Sequence, residues 1–302
     1  MNKILFVFVL AFLIRLLNLS TYDLSIENYI LEDQSLYWQW IKADAFMPWG
    51  TIAKETLLER MPGSFIFFEF GSFLFGEGLL NLLIYQSFFD SINCVLIGLI
   101  ARNIKKDLFF LAGFLASISP LLIIISAQLL SDTIFLFFFN LYIYFFTSYV
   151  KQQKTNNLFL SSLFLGLAIY VRVVALPIII LSLIFILVIH FNKDKKYLNY
   201  AKIFFLFMFI SLLPVSKRIV DNYINYSKIA ITTQTGSHFA NWVVPGVLDF
   251  TNESIKEKYY ENLRLISNKQ ESKIDPFEKN NELKKLAFET LLSLEKSKIV
   301  LA

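Results

Sequence analysis

The chain has 302 residues, 56% of them hydrophobic, a net charge of only +4 and two histidines. Its mean hydropathy of +0.56 belongs to proteins built for a bilayer rather than to soluble domains. Cys94 is the single cysteine, which excludes a disulfide framework and a thiolate metal site. The lack of a basic stripe excludes nucleic acid as a partner.

Residues 4–19 form the first apolar run. Lys3 precedes it, as in a signal peptide, but no small-x-small cleavage site follows and Arg15 interrupts its outer end. A retained first helix is the better reading. Runs 79–101, 108–126, 133–150 and 173–191 each offer about 18 or more largely apolar residues, the length a helix needs to cross hydrocarbon. Segments 158–171 and 199–216 are shorter but similar, which makes seven predicted spans.

Basic residues cluster at Lys3, at Arg102, Lys105 and Lys106, at Lys151 and Lys154, and at Lys193, Lys195, Lys196 and Lys202. The positive-inside trend places all four groups in the cytoplasm, and seven crossings satisfy it. The N-terminus is then inside and everything after Lys217 outside. Counting 62–76 as a further span would break this parity. That segment carries Glu69 and is punctuated by Gly63, Gly71 and Gly76, so it fits an interfacial or re-entrant helix on the outer face.

The expected fold is an all-α multi-pass membrane protein with about seven transmembrane helices. Residues 1–216 form its membrane module, with an outer first loop, 20–78, carrying interfacial helices. Residues 217–302 form a polar outer segment. In the first loop, Pro48-Trp49-Gly50 marks a turn, and Trp38, Trp40 and Trp49 suit the headgroup level. In the tail, Leu283, Leu286, Leu291 and Leu294 have helical spacing, and the closing Ile299-Val300-Leu301-Ala302 reads as a helix cut short.

No phosphate loop, His/Cys metal cluster or nucleophile elbow is present. The chemistry must come from ionisable groups near the outer surface. Asp33, with Glu32 before it, stands four residues ahead of Tyr37, which puts both on one helix face. Such a carboxylate can take a hydroxyl proton; it equally suits the positive end of a helix. Asp132 opens a span, either as a functional carboxylate or as a cap together with Ser131. Arg172 lies at an outer turn and must face a cavity, an anion or headgroups. Lys217 and Arg218 close the last span on the outer side, against the charge trend, which fits an anionic partner or simple snorkelling. His238 is a minor candidate in the tail, and His190 falls at a cytoplasmic helix end. Asp90 and Arg15 lie within spans; Asp90 has Gln86 one turn before it, the setting for a buried polar pair.

The order of parts resembles the integral-membrane glycosyltransferases of the C-type fold, especially the bacterial relatives of protein O-mannosyltransferases and aminoarabinose transferases. The resemblance covers residues 1 to about 250. It rests on Leu13-Ile-Arg15-Leu-Leu17, on Asp33 followed by Tyr37, on Arg60-Met-Pro62-Gly63 leading to Phe75-Gly76-Glu77, and on Ser119-Pro120. It continues with Asp132, with Gly166-Leu-Ala168 before Arg172 and Pro177, and with Pro214 and Arg218 before Thr233-Gln-Thr-Gly236. The usual Asp-Glu pair stands here as Asp33-Gln34, or inverted as Glu32-Asp33.

This resemblance implies an inverting glycosyltransferase at the outer face of the cytoplasmic membrane. The donor would be a sugar on a polyprenyl phosphate, and the acceptor a lipid, glycan or protein. Asp33 and Asp132 would be catalytic. Glu32, Tyr37, Arg60, Arg172, Lys217, Arg218 and His238 would bind substrate, with a divalent cation as an open option. The rival readings are a transporter or flippase without chemistry, and a degenerate membrane scaffold. A transporter should show repeats and midplane charges; here the charges gather at one face.

Overall fold

The computed structural model describes residues 2–31, 33–42, 58–191, 197–250, 253–268 and 275–294. Glu32, the Pro48-Trp49-Gly50 turn, Lys193, Lys195, Lys196 and the C-terminal apolar run lie outside the described residues. The regular elements described are all helices. The chain forms two compact units, Met1–Ile52 with Met61–Ser216, and Ala53–Arg60 with Lys217–Ala302.

The larger unit begins with α1 (Lys3–Leu19), α2 (Ile26–Tyr29), α3 (Asp33–Lys42) and α4 (Gly63–Phe75). It continues with α5 (Leu79–Ile104), α6 (Leu108–Ser117), α7 (Pro120–Ser126), α8 (Asp132–Gln152) and α9 (Thr155–Val171). A 3-10 turn, Val173–Ala175, leads into α10 (Leu176–Phe191), and α11 (Tyr197–Tyr226) follows, its residues from Lys217 on belonging to the smaller unit. All seven apolar segments are helical. Among the described residues, three helices are long and apolar enough to cross a membrane: α5, α8 and the Ala201–Tyr226 part of α11. The α6–α7 pair, bent by 55°, makes a fourth if it is one span. α1 and α9, at 17 residues each, rise only about 26 Å, just short of a ~30 Å hydrocarbon core. Length and composition alone therefore give three to four crossings where charge parity counts seven.

The bend has a local cause. Pro120 holds Ser119 in an extended conformation (ψ 117°), so α6 cannot continue through it. Ending a helix inside an apolar layer leaves carbonyls without partners. Arg15 on α1 supplies one: its Nη1 donates to the Ser117 carbonyl at 3.2 Å and to the Ala11 carbonyl at 3.0 Å. Its Nε donates to Asp90 on α5 at 2.6 Å, and its Nη2 reaches the Cys94 sulfur at 3.2 Å. Arg15 and Asp90 are both fully buried. The sequence pairs Asp90 with Gln86; Asp90 instead takes Arg15, while Gln86 turns to backbone carbonyls at the end of α7 and just after it. Arg15 belongs to the one buried stripe of α1, with Val7, Ala11 and Leu19 at four-residue spacing.

The bundle has two chemically distinct ends. At one, the Asn103 amide of α5 donates to the Tyr144 carbonyl and to the Thr147 and Ser148 hydroxyls of α8, and Lys151 reaches the Asn103 carbonyl. The clusters around Arg102 and Lys151 thus share that end. At the other, the start of α8 meets the end of α9.

α4 is a 13-residue helix, shorter than hydrocarbon is thick. Phe65 and Phe68 of α4 receive Tyr37 and Trp40 of α3, and Phe67 stacks on Tyr85 of α5. Trp38 and Trp40 are therefore packed against the protein, 8% and 1% exposed; Trp49 is not among the described residues. The reason is that α3 has a continuous apolar face and α4 offers it a bed of phenylalanines.

Gly63 permits a close approach. A β-carbon there would stand 2.7 Å from the Tyr170 carbonyl of α9. Gly63→Ala is expected to force α4 away from the end of α9 and destabilise the protein by about 1–3 kcal/mol, the usual cost of overpacking. Thermal melting in detergent checks this, and an unchanged Tm would show that the helices can separate freely. Gly166 plays the same part between α9 and α11, where a β-carbon would meet the Ser211 carbonyl at 2.6 Å.

The smaller unit contains α12 (Gln234–His238), a π turn (Phe239–Val243), α13 (Val244–Leu248), α14 (Glu253–Asn268) and α15 (Pro276–Ser293). Its core is Val244, Val247, Leu248, Tyr259, Ala287 and Leu294. The segment is thus a packed helical unit as well as a polar one. Asp275 caps α15 through the Phe277 amide at 2.9 Å, and the Tyr259 hydroxyl donates to the Ala240 carbonyl at 2.6 Å. Burial pushes the Tyr259 phenol well above its ordinary range, so that proton stays in place.

Candidate active site at the start of α8

Asp132 is the first residue of α8, and Ser131 makes no side-chain capping bond. The carboxylate goes elsewhere: it forms an ion pair with Arg172, which sits in the extended turn after α9. Arg172 also stands over the Phe135 ring at 5.9 Å. The pair is neither sealed nor fully wet, with side chains 40% exposed for Arg172 and 33% for Asp132. An ion pair so placed stabilises a fold by about 1 kcal/mol or less. Its value lies in holding a guanidinium, which can face an anion, and a carboxylate, which can take a hydroxyl, at one accessible spot.

The loop before Asp132 is held from three sides. Gln86 of α5, fully buried, donates to the carbonyls of Ile125, Ser126 and Gln128 at 2.5 to 3.2 Å. Ile125 and Ser126 close α7 and Gln128 follows it, where the helix's own hydrogen bonds run out. Gln34 accepts from the Leu129 amide at 3.0 Å. The Tyr29 hydroxyl donates to the Ala127 carbonyl. Burial raises the Tyr29 phenol to about 12, which keeps that donor protonated at ordinary pH.

Gln34 is the neighbour of Asp33, and Leu129 is three residues from Asp132. The Gln34–Leu129 bond therefore brings the start of α3 to the loop that opens α8. Asp33 itself is the exposed first residue of α3 and engages other groups. Tyr37, one turn on, does not stand open beside it: its ring is 3% exposed, between Phe65 and Phe68. The remaining candidates belong to the smaller unit. Arg60 is half-buried and engaged. Lys217 pairs with Asp221 at 2.5 Å. Arg218 is not snorkelling but buried, 4% exposed, and donates to the Ile231 carbonyl at 3.2 Å. His238 is exposed at the end of α12. Among the described residues no three His, Cys, Asp or Glu side chains gather in a way that could hold a metal ion.

A family model described as dolichyl-phosphate-mannose-protein mannosyltransferase matches residues 59–217, more than half of the chain. The chain belongs to this family. It is accordingly a membrane glycosyltransferase of the C-type fold. The match takes in Gly63, Asp132, Arg172 and Pro214; Asp33 and Arg218 fall outside it. No curated protein and no solved structure matches the chain.

Gln34, Gln86 and Tyr29 are structural members of this site; the sequence places Gln34 in an altered acidic pair and Gln86 beside Asp90, and gives no sign of Tyr29. Gln86 had a signal. It stands with Asp90 and Asn93 at spacings of four and three, a polar stripe on one face of an otherwise apolar helix.

Proposed function

We propose that the chain transfers a sugar from a polyprenyl-phosphate donor to an acceptor hydroxyl, with inversion, at the outer face of the cytoplasmic membrane. The observation that carries this reading is the Asp132–Arg172 pair. It lies at the end of the bundle opposite the Arg102 and Lys151 clusters, with the start of α3 tied to the same loop. The positive-inside trend makes the basic end cytoplasmic, which leaves the pair outside, with seven crossings.

In this reading the acceptor oxygen attacks the anomeric carbon as the bond from that carbon to the phosphate oxygen breaks. The phosphate departs with the bonding electron pair, and Asp33 takes the acceptor proton. Negative charge grows on the leaving phosphate, and Arg172 is the group placed to meet it. Asp132 keeps the guanidinium oriented and offers its second oxygen to a sugar hydroxyl. A lipid tail suits the surroundings. An apolar groove of about 670 Å³ in the same unit, lined by Phe12, Phe70, Leu74, Ile84 and Phe88 among others, is the kind of surface a hydrocarbon chain covers.

Two measurements test this. Lysine cannot reproduce the bidentate grip of a guanidinium, so Arg172→Lys is expected to lose most transfer whatever sugar the donor carries. Near-normal rates in Arg172→Lys would move the phosphate role to another residue. Because Cys94 is buried, single cysteines can be labelled against a silent background. Lys105→Cys is expected to react from the cytoplasmic side only and Leu292→Cys from the outside only. The reverse pattern would remove the outer-face assignment.

A further inference from the structure

The long-range bond from α5 to the first turn of α8 falls on Thr133, the residue after Asp132. Asn93 of α5 donates through Nδ2 to the Thr133 carbonyl at 3.1 Å. The oxygen of the same amide accepts from Asn140 at 3.3 Å. Thr133 and Asn140 are seven residues, about two turns, apart on α8. One side chain of α5 thus grips α8 at two heights. A slip of α8 by one residue would rotate it by about 100° and shift it by about 1.5 Å. Either change would carry the Asp132 carboxylate away from Arg172, so the Asn93 clamp fixes the register on which the ion pair depends.

Gln86, on the same face of α5, grips the loop entering α8 through three carbonyls. Asp90, between them, is locked by Arg15 and stands 3.5 Å from Asn93. All of these side chains are fully buried. Polar side chains at such depth are costly and are kept for a purpose. Here they join the bundle interior to the first turn of α8.

We propose that Asn93 and Gln86 are positioning residues that set Asp132 against Arg172. The consequence for transfer rests on the reading above; the consequence for the ion pair does not. Asn93→Leu keeps the number and branching of the side-chain heavy atoms and removes the clamp. The test uses thermal melting of the full chain in detergent for Asp132→Asn, Arg172→Gln and the double variant, each with and without Asn93→Leu. With Asn93 present, the two single losses in Tm are expected to be non-additive, because each breaks the same pair. With Asn93→Leu, they are expected to become additive. Unchanged non-additivity would overturn the proposal. Transfer from a polyprenyl-phosphate mannose donor is expected to fall about 10²-fold in Asn93→Leu, the scale of a 1 Å misplacement. A wild-type chain that transfers, with Asn93→Leu equally fast, would also overturn it. A wild-type chain that transfers nothing would sink the functional reading while the melting cycle still decides the positioning. If Asn93→Leu does not fold, Gln86→Met carries the same cycle through the loop.

Discussion

Asp33→Asn is expected to lower sugar transfer by about 10²–10⁴-fold, the contribution of a well-placed general base, while leaving the Tm nearly unchanged. The side chain is exposed at the first turn of α3, where helix-end electrostatics contribute about 0.3–1 kcal/mol. Asparagine keeps the size and loses the proton acceptor. Purified wild type and variant, compared at saturating donor, give the answer directly. If Asp33→Asn transfers at the wild-type rate, the base lies elsewhere. Asp132→Asn should separate from it: that change removes the partner of Arg172, so it is expected to raise the donor KM as well as lower the rate.

Arg15→Leu is expected to be the most damaging single change to stability, by about 3–5 kcal/mol, the cost of leaving one member of a buried pair alone. Asp90 would keep Asn93 at 3.5 Å as its remaining neighbour, and the Ser117 carbonyl at the α6–α7 bend would lose its donor. Removing both charges together, in Arg15→Leu with Asp90→Leu, is expected to recover much of that loss, since two apolar side chains leave no charge behind. Denaturation in detergent reads both. A double variant as unstable as Arg15→Leu alone would show that the pair matters through the Ser117 and Ala11 carbonyls rather than through Asp90.

Much of the bundle was legible because its signals are local. α5 and α8 follow from long apolar runs, whereas the 108–126 run reads as one span, without the bend at Ser119-Pro120 that divides it into α6 and α7. What was not legible is long-range pairing. Charge parity put Asp132 and Arg172 at the same end, yet nothing local says that residues 40 apart in sequence will bond. Asp90 seemed bound to Gln86 because one turn separates them; its true partner, Arg15, is 75 residues away and on another helix. Tyr37 was read as facing Asp33 by its four-residue spacing, which describes one helix alone; the phenylalanines of α4 claim its ring. In the tail the helical spacing of Leu286, Leu291 and Leu294 was legible; their packing with Tyr259 of α14 and with Val244, Val247 and Leu248 into one core was not, because it joins several short elements.

The donor decides between a sugar transferase of this kind and every rival. The full chain, reconstituted in phospholipid vesicles with its native membrane lipids as acceptor, is supplied with radiolabelled polyprenyl-phosphate mannose or with the matching nucleotide sugar. Label is expected to leave the polyprenyl phosphate with wild type, to stay there with Asp33→Asn, and not to move from the nucleotide sugar in either. Transfer straight from the nucleotide sugar, or equal loss of lipid-linked label in wild type and Asp33→Asn, would contradict a lipid-phosphate donor acted on at the Asp33, Asp132 and Arg172 end of the bundle.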